Sequence, residues 1–176
     1  MRDPAVRTGP TIAIRPAVPE DAALILGFIR ELAVYEKAGQ EVLATEADLR
    51  RTLFGPQAGA HALICDVDGA AAGFAVYFFN YSTWQGRPGL YLEDLYLTPA
   101  YRSVGAGKAL LRHLAGIAVD QGCGRFEWSV LDWNTPAIAF YQSIGAQPMN
   151  EWVRYRLTGP ALAEFAASAP TAAGAS

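Results

Sequence analysis

Apolar residues recur along this chain with two different periods, which together predict a mixed α/β protein. In residues 20–35 and again after Gly105, apolar positions return every three or four residues, as on one face of a helix. Elsewhere, short apolar and alternating runs are typical of strands. The strands predicted in this way are 11–15, 61–66, 71–81, the stretch around 90–97, 125–131 and 153–157.

Turn and cap residues place the ends of these elements. Thr45 followed by Asp48 predicts a capping box that opens a short helix ending near residue 53. Asp68-Gly69 predicts a hairpin turn between two strands. Thr135 is the expected cap of a later helix, with Pro136 at its first position. Residues 82–89 are expected to form a loop, and 159–165 one or two final helical turns.

The resulting element order is β, α, α, β, β, β, α, β, α, β. Antiparallel hairpin strands followed by a βαβ crossover imply a mixed, mostly antiparallel sheet with helices on both faces. Residues 11–166 are expected to form a single domain, preceded by a flexible leader at 1–10 and followed by a disordered tail at 167–176.

Composition narrows the class of protein. A chain of 176 residues that is 52% hydrophobic is long enough for one core and short for two. The net charge of −3 gives no general attraction to nucleic acid or to an anionic membrane. The sequence contains neither an apolar run of about 20 residues nor the apolar core of a signal peptide, which favours a cytoplasmic protein. Its two cysteines and two histidines lack metal-ligand spacing, so no metal is expected.

The most informative stretch is residues 90–118, where a strand carrying Glu93 and Asp94 leads through a glycine-bearing loop into an amphipathic helix. The first turn of a helix leaves backbone N–H groups unpaired and carries partial positive charge, which favours an anion there. Glycines allow a phosphate to approach the backbone closely. The loop is therefore either an anion site or a strand-to-helix turn whose glycines serve geometry alone.

Two common phosphate motifs do not match this loop. A P-loop would need glycine at position 102 and Ser or Thr at 109, where the chain has Arg102 and Ala109. A dinucleotide fingerprint would need a third glycine where Leu110 stands. The motif is instead Arg-x-x-Gly-x-Gly from Arg102 to Gly107.

The adjacent carboxylates impose a geometric condition. Neighbouring residues of a regular strand point to opposite faces, so Glu93 and Asp94 can line one site only if the strand is bulged or splayed there. Without that distortion, the pair would be solvated strand residues. A splay would also expose backbone N–H groups to a ligand.

Several motifs taken together resemble the GNAT N-acetyltransferases over about residues 12–157. They are Arg102-x-x-Gly105-x-Gly107, Asn134-x-Pro136, Phe140-Tyr141 and Gly145-Ala146. Within that superfamily, Tyr35-Glu36 and the run from Tyr91 to Asp94 resemble the spermidine/spermine acetyltransferases. Residues 81–84 and 131–134 resemble the related thialysine acetyltransferases more closely.

The resemblance implies acetyl-CoA as the donor and a direct attack by the acceptor amine. Glu93 corresponds to the carboxylate that draws a proton from the amine, and Tyr141 to the residue that protonates the departing thiolate. The donor-binding residues implied are Leu95, Tyr96, Leu97, Arg102, Ser103, Val104, Gly105, Ala106, Gly107, Lys108, Asn134, Thr135, Pro136, Ala137 and Tyr141. These roles suit the chemistry, because an alkyl amine with a pKa of ~10.4 is protonated at neutral pH and must lose a proton to attack.

The acceptor is expected to be a primary amine on a small diamine or a lysine-like amino acid. Ser82 stands where the spermidine/spermine enzymes carry an aspartate, which removes one anchor for a long polycation. The candidate acceptor-binding residues are Tyr35, Glu36, Trp84, Glu93, Asp94, Glu127, Trp128, Ser129 and Glu151. The alternatives are a polyamine acetyltransferase, a protein lysine or N-terminal acetyltransferase, and a non-catalytic acetyl-CoA sensor. A homodimer is implied by the resemblance alone.

Overall fold

The computed structural model describes residues 9–168, which fall into two compact units that divide after Ser129. The first unit contains a five-stranded sheet in which the strands lie in chain order. The strands are β1 (Ile12–Pro16), β2 (His61–Val67), β3 (Ala70–Ser82), β4 (Arg87–Leu97) and β5 (Phe126–Trp128). The first four pair antiparallel and β5 pairs parallel to β4, so the predicted mixed, mostly antiparallel sheet is confirmed.

Three helices of the first unit cover the sheet. They are α1 (Ala22–Tyr35), α2 (Glu46–Phe54) and α3 (Ala106–Asp120). The core between the sheet and α1 contains Phe28, which stacks on Phe74 with ring centroids 5.8 Å apart and also contacts Tyr96. On β4, Leu97 points away from that core because side chains alternate along a strand. It lies beside the start of α3, so helices cover both faces of the sheet.

The second unit contains α4 (Thr135–Ser143) and α5 (Gly159–Ala167). The N-cap of α4 is Asn134 and not the expected Thr135, because the Asn134 side chain accepts a hydrogen bond from the N–H of Ala137 at 3.4 Å. Asparagine is a better N-cap than threonine, and it stands one position earlier. Thr135 is therefore the first residue of the helix.

The predicted strand at 153–157 is wrong. Residues 152–158 have no regular structure, although apolar and basic residues alternate there as in a strand. A strand needs a neighbour to pair its backbone groups. The described part of the second unit contains only helices, so it offers 153–157 no strand to pair with.

Hairpins are longer and loops shorter than the sequence indicated. β3 continues through Ser82 and β4 begins at Arg87, so only residues 83–86 form the turn expected at 82–89. The ladder holds these outer residues because their backbone groups pair across the hairpin. β5 is also shorter than the predicted 125–131, since its pairing with β4 covers three residues.

The two local signals at Asp68-Gly69 and Thr45 are confirmed. Asp68 and Gly69 both have positive φ, as a tight hairpin turn requires. Thr45 Oγ1 accepts a hydrogen bond from the N–H of Asp48 at 3.2 Å, and the Asp48 carboxylate accepts one from the N–H of Thr45. Most of the predicted leader, residues 1–8, and of the predicted tail, residues 169–176, lies outside the described residues. Ala167 is the last residue of α5.

No helix within residues 9–168 is long and apolar enough to cross a bilayer.

Candidate active site

The strand β4 carries a β-bulge at its two adjacent carboxylates. Leu92 pairs with Tyr77 and Asp94 pairs with Val76. Two consecutive residues of β3 therefore face three residues of β4, and Glu93 is the extra residue of the bulge. An extra residue of this kind breaks the alternation of side chains and bends the strand. The distortion that Glu93 and Asp94 need to face one site is therefore present.

The sheet also opens at this bulge. β5 pairs with Leu90, Tyr91 and Leu92 and ends at Trp128, whereas β4 continues to Leu97. From Glu93 onward, the pairing of β4 within residues 9–168 is with β3 alone. Backbone N–H and C=O groups on the other edge of this segment are consequently placed to bind a ligand instead of a strand.

Three carboxylates, Glu36, Glu93 and Asp94, form an acid cluster beside the bulge. Asp94 is half-buried, and its pKa is raised to about 6, first by burial and then by the negative charges of Glu93 and Glu36. Glu36 caps the C-terminal end of α1, and burial raises its pKa as well. Glu93, at the bulge, is exposed. Carboxylates gathered in a partly buried place are typical of sites that bind a cation or exchange a proton with it.

The loop between β4 and α3 ends in a helix N-terminus without a capping side chain. Gly105 is the N-cap of α3 with φ of +93°, a conformation that favours glycine. The first amide bonded inside the helix is that of Ala109, which donates to the carbonyl of Gly105 at 3.0 Å. The N–H groups of Ala106, Gly107 and Lys108 precede it and point out of the helix, as at anion sites.

Ser103 adds a second unusual conformation to this loop. Its φ of +65° lies in the left-handed region, which non-glycine residues adopt rarely. The preceding residue, Arg102, has extended backbone with ψ of 156°, so the chain turns sharply at Ser103. The positive φ values of Ser103 and Gly105 thus shape the loop that the sequence singled out.

Arg102 lies at the start of the loop, where its guanidinium group contacts two aromatic rings. Its Nε donates to the carbonyl oxygen of Leu97 at 3.1 Å. Its guanidinium carbon lies 4.9 Å from the ring centroid of Tyr35 and 5.6 Å from that of Tyr96. Lys108, the other basic residue of the motif, is exposed on the first turn of α3.

Other predicted acceptor residues lie toward the opposite end of β4. Trp84 is 89% exposed in the β3–β4 turn. Glu127, opposite Tyr91, has its charge balanced by Arg125, whose Nε lies 2.9 Å from its Oε2. Glu127 therefore does not add a free negative charge to the acid cluster.

The neighbours of Glu127 on β5 have contacts of their own. Ser129 Oγ lies 2.7 Å from the hydroxyl of Tyr91, and the ring of Trp128 packs on Phe126 at 4.9 Å between centroids. The first of these contacts connects the end of β5 to the paired half of β4, and the second lies within β5.

The remaining predicted residues belong to the second unit. Asn134 caps α4, and Thr135, Pro136 and Ala137 form its first turn. Tyr141 lies on the same helix, where its ring contacts that of Phe140 at 5.7 Å. Glu151 is exposed in the turn that precedes the irregular segment 152–158.

Two partners were missed by the sequence reasoning. Arg125 lies two residues before Glu127, a spacing that puts both side chains on one face of a strand, so the ion pair could have been expected. Glu31, which accepts a hydrogen bond from the hydroxyl of Tyr96 at 3.0 Å, is 65 positions from Tyr96 and carries no such local signal.

Among the residues the structure describes, no group of three or more His, Cys, Asp or Glu side chains is placed to hold a metal ion.

The chain resembles known acetyltransferases along most of its length. Residues 28–146 match the acetyltransferase (GNAT) family. The thialysine N-epsilon-acetyltransferase of Sus scrofa is 38% identical over 89% of this chain and 98% of its own. An L-ornithine N5-acetyltransferase of Arabidopsis thaliana is 33% identical over 85% of each chain. Among solved structures, an integron cassette protein from the mobile metagenome of V. cholerae superposes with a TM-score of 0.75 at 28% identity, covering 89% of this chain and 98% of that one.

Proposed function

Because the chain belongs to the acetyltransferase (GNAT) family and is an N-acetyltransferase, we propose that it acetylates the primary amine of a lysine-like amino acid or small diamine, with acetyl-CoA as donor. The observation that carries the proposal is the bulge in β4, which gathers the acid cluster on the strand that leads into the uncapped start of α3.

The loop before α3 fits the pyrophosphate of coenzyme A. Gly107 has no positive φ, and a Cβ added there would lie 3.5 Å from Leu97 Cδ1, an ordinary contact. The protein's own packing therefore does not require glycine at this helical position, although alanine would favour the helix. A ligand that approaches the backbone closely accounts for it. Acetyl-CoA, when bound there, supplies the acetyl thioester.

The donor arm would lie along the open half of β4. Leu95, Tyr96 and Leu97 follow the bulge, where β5 has ended. Amide groups of a pantetheine chain can pair with the backbone on this edge in the manner of an added strand. Arg102 and Lys108 supply positive charge near the phosphates.

The acid cluster binds the acceptor amine and takes its proton. Negative charge on Glu36, Glu93 and Asp94 attracts the ammonium form and holds it beside the bulge. An alkyl ammonium has a pKa of ~10.4, so a carboxylate with an ordinary pKa is a poor acceptor for its proton. Because the pKa of Asp94 is raised to about 6, it lies closer to the pKa of the ammonium, which eases proton transfer between them. We propose that Glu93 draws the proton from the amine, as the family resemblance implies, and that Asp94, whose pKa is raised beside it, takes the proton over.

Tyr141 is the proposed acid. Its hydroxyl can donate a proton or a hydrogen bond to a leaving thiolate, whose thiol pKa is ~8.5. This role rests on its place in the motif from Asn134 to Ala146.

Charge balance favours a small acceptor over a polyamine. The ion pair with Arg125 neutralises Glu127, and Ser82 offers no charge at the hairpin. A long polycation would thus find few carboxylates beyond the acid cluster. A lysine-like acceptor needs carboxylates only at the end of the binding site that holds its side-chain ammonium group. The thialysine and ornithine acetyltransferases among the relatives carry names that agree with this preference.

An amine panel tests the proposal. Acetyl-CoA would be supplied with thialysine, ornithine, 1,3-diaminopropane, spermidine and a lysine peptide at pH 8, and thiol release would be followed. The expected order of kcat/KM places the amino acids and the short diamine above spermidine and the peptide. Coenzyme A binding without turnover of any amine would contradict the enzyme assignment and favour a sensor. A preference for spermidine or the peptide would contradict the acceptor assignment only.

The homodimer is likewise a proposal. It is supported by Trp84 and Tyr81, two large side chains exposed at the β3–β4 hairpin. Sedimentation of the purified protein would measure its mass in solution.

A further inference from the structure

Arg102 of the donor loop rests on a platform of two aromatic rings. Tyr96 provides the fixed part of this platform, because its side chain is 5% exposed and its hydroxyl donates to Glu31 on α1. Tyr35 provides the outer part, with its ring 4.9 Å from the guanidinium carbon. A cation held over two ring faces is attracted by both quadrupoles. Arg102 therefore rests against residues of both α1 and β4.

The same platform reaches the acid cluster. Tyr35 is the last residue of α1, and Glu36 follows it as the C-cap. Glu36 is one of the two charges that raise the pKa of Asp94. The ring that contacts the donor loop and the carboxylate that acts on Asp94 are thus carried by consecutive residues at one helix end.

On this juxtaposition, we propose that Tyr35 is a positioning residue that couples donor binding to the placement of the acid cluster. A phosphate bound at the loop fixes the guanidinium of Arg102, Arg102 fixes the ring of Tyr35, and the end of α1 then holds Glu36 toward Asp94. Coupling of this kind is reciprocal, so an acceptor amine held by the acid cluster strengthens donor binding by the same factor. The inference rests on the proposed function, since it takes the loop as the donor site and the acids as the acceptor site.

The chemical consequence is an acceptor site that is held more firmly when the donor is present. The amine should bind more tightly to the enzyme with coenzyme A than to the enzyme alone. A cation–π contact contributes roughly 0.5–2 kcal/mol in proteins, which limits the effect through Tyr35 to about a two- to thirtyfold change in affinity.

A double-mutant cycle tests the coupling. The variants are Tyr35→Leu, Arg102→Gln and the double variant, with Tyr35→Phe to retain the ring. Arg51→Gln on α2, whose side chain is 73% exposed, serves as the matched control for loss of one arginine. Because Tyr35 is 39% exposed, replacing it should leave the midpoint of thermal unfolding close to that of the wild type. Calorimetric titration would give the coenzyme A Kd with and without ornithine, and steady-state assays the amine KM at saturating acetyl-CoA.

We expect Tyr35→Leu to raise the coenzyme A Kd about threefold or more and to raise the amine KM, with a smaller change in kcat. In the double variant, the loss should be smaller than the sum of the single losses in free energy, because each residue acts through the other. Tyr35→Phe should restore most of the non-additivity. Additive losses, or a coenzyme A Kd that Tyr35→Leu does not change, would overturn the inference. Failure of the wild-type protein to bind coenzyme A or to acetylate any amine would instead overturn the proposed function.

Discussion

The two halves of β4 differ in what borders them. Up to Leu92 the strand lies between β3 and β5, and Leu90 and Leu92 are 0% and 3% exposed. From Glu93 onward it pairs with β3, while β5 has already ended, and it carries a half-buried aspartate whose pKa is raised. One strand thus supplies a closed ladder up to Leu92 and, from Glu93 onward, an open edge with charge.

This difference shows how a sheet can be both scaffold and site. The paired half is fixed by backbone hydrogen bonds and apolar contacts, so it holds the bulge in place. The open half carries gathered carboxylates and a backbone edge that β5 does not pair, so both are available to a ligand.

The acids after the bulge should be the most sensitive positions. Asp94→Asn or Glu93→Gln should lower kcat/KM for ornithine by about 10²–10⁴, the range typical of a lost general base. Thiol-release assays would measure it, with Asp120→Asn, exposed at the end of α3, as the matched control. Variants that keep more than half of the wild-type kcat/KM would place the acceptor site elsewhere.

Tyr141 should affect the rate without affecting the donor loop. Tyr141→Phe should lower kcat roughly tenfold to a hundredfold, because the leaving thiolate loses a proton donor. Its coenzyme A Kd should stay within about twofold of the wild type, since the hydroxyl acts on the thiol end only. An unchanged kcat would remove Tyr141 from the acid role.

Ionised Asp94 should lower the free energy of unfolding of the protein. Its pKa in the folded protein, about 6, lies above the ordinary 3.8, so the folded state binds more protons between these values and stability falls as pH rises through this window. Asp94→Asn should therefore raise the free energy of unfolding by about 1–3 kcal/mol at pH 7 to 8 and by little below pH ~4. Urea unfolding at both pH values would measure it. Equal effects at both would contradict the raised pKa.

Gly107 should separate donor binding from folding. Gly107→Ala should raise the free energy of unfolding by up to about 1 kcal/mol, because alanine favours the helix and its Cβ meets only Leu97 at 3.5 Å. The same methyl group should obstruct the phosphate and raise the coenzyme A Kd. A variant that loses stability and affinity together would indicate that Gly107 serves packing alone.

Local sequence signals predicted most of the first unit. The capping box at Thr45 and the turn at Asp68-Gly69 specify themselves through neighbouring residues, and the apolar periods identify the strands and helices. The strand expected at 153–157 was wrong because alternation reports a preference and not the presence of a pairing neighbour. Ends of hairpins also depend on pairing, which is why β3 and β4 extend beyond their predicted limits.

The candidate site was predictable in outline. The sequence set the condition that Glu93 and Asp94 need a bulge, but the position of an extra residue follows from the register with β3, which no local pattern specifies. The raised pKa of Asp94 depends on burial and on Glu36, 58 positions away in the chain. The platform under Arg102 likewise unites α1 with β4. Such contacts come from packing of distant segments.

Amide hydrogen exchange with and without coenzyme A tests the division of β4 most directly. If the open half and the start of α3 form the donor site, coenzyme A should slow exchange at amides within Glu93 to Leu97 and at Ala106 to Lys108, and leave the amides of Leu90 to Leu92 unchanged. Protection confined to the paired half, or coenzyme A binding without protection at either predicted segment, would contradict the account.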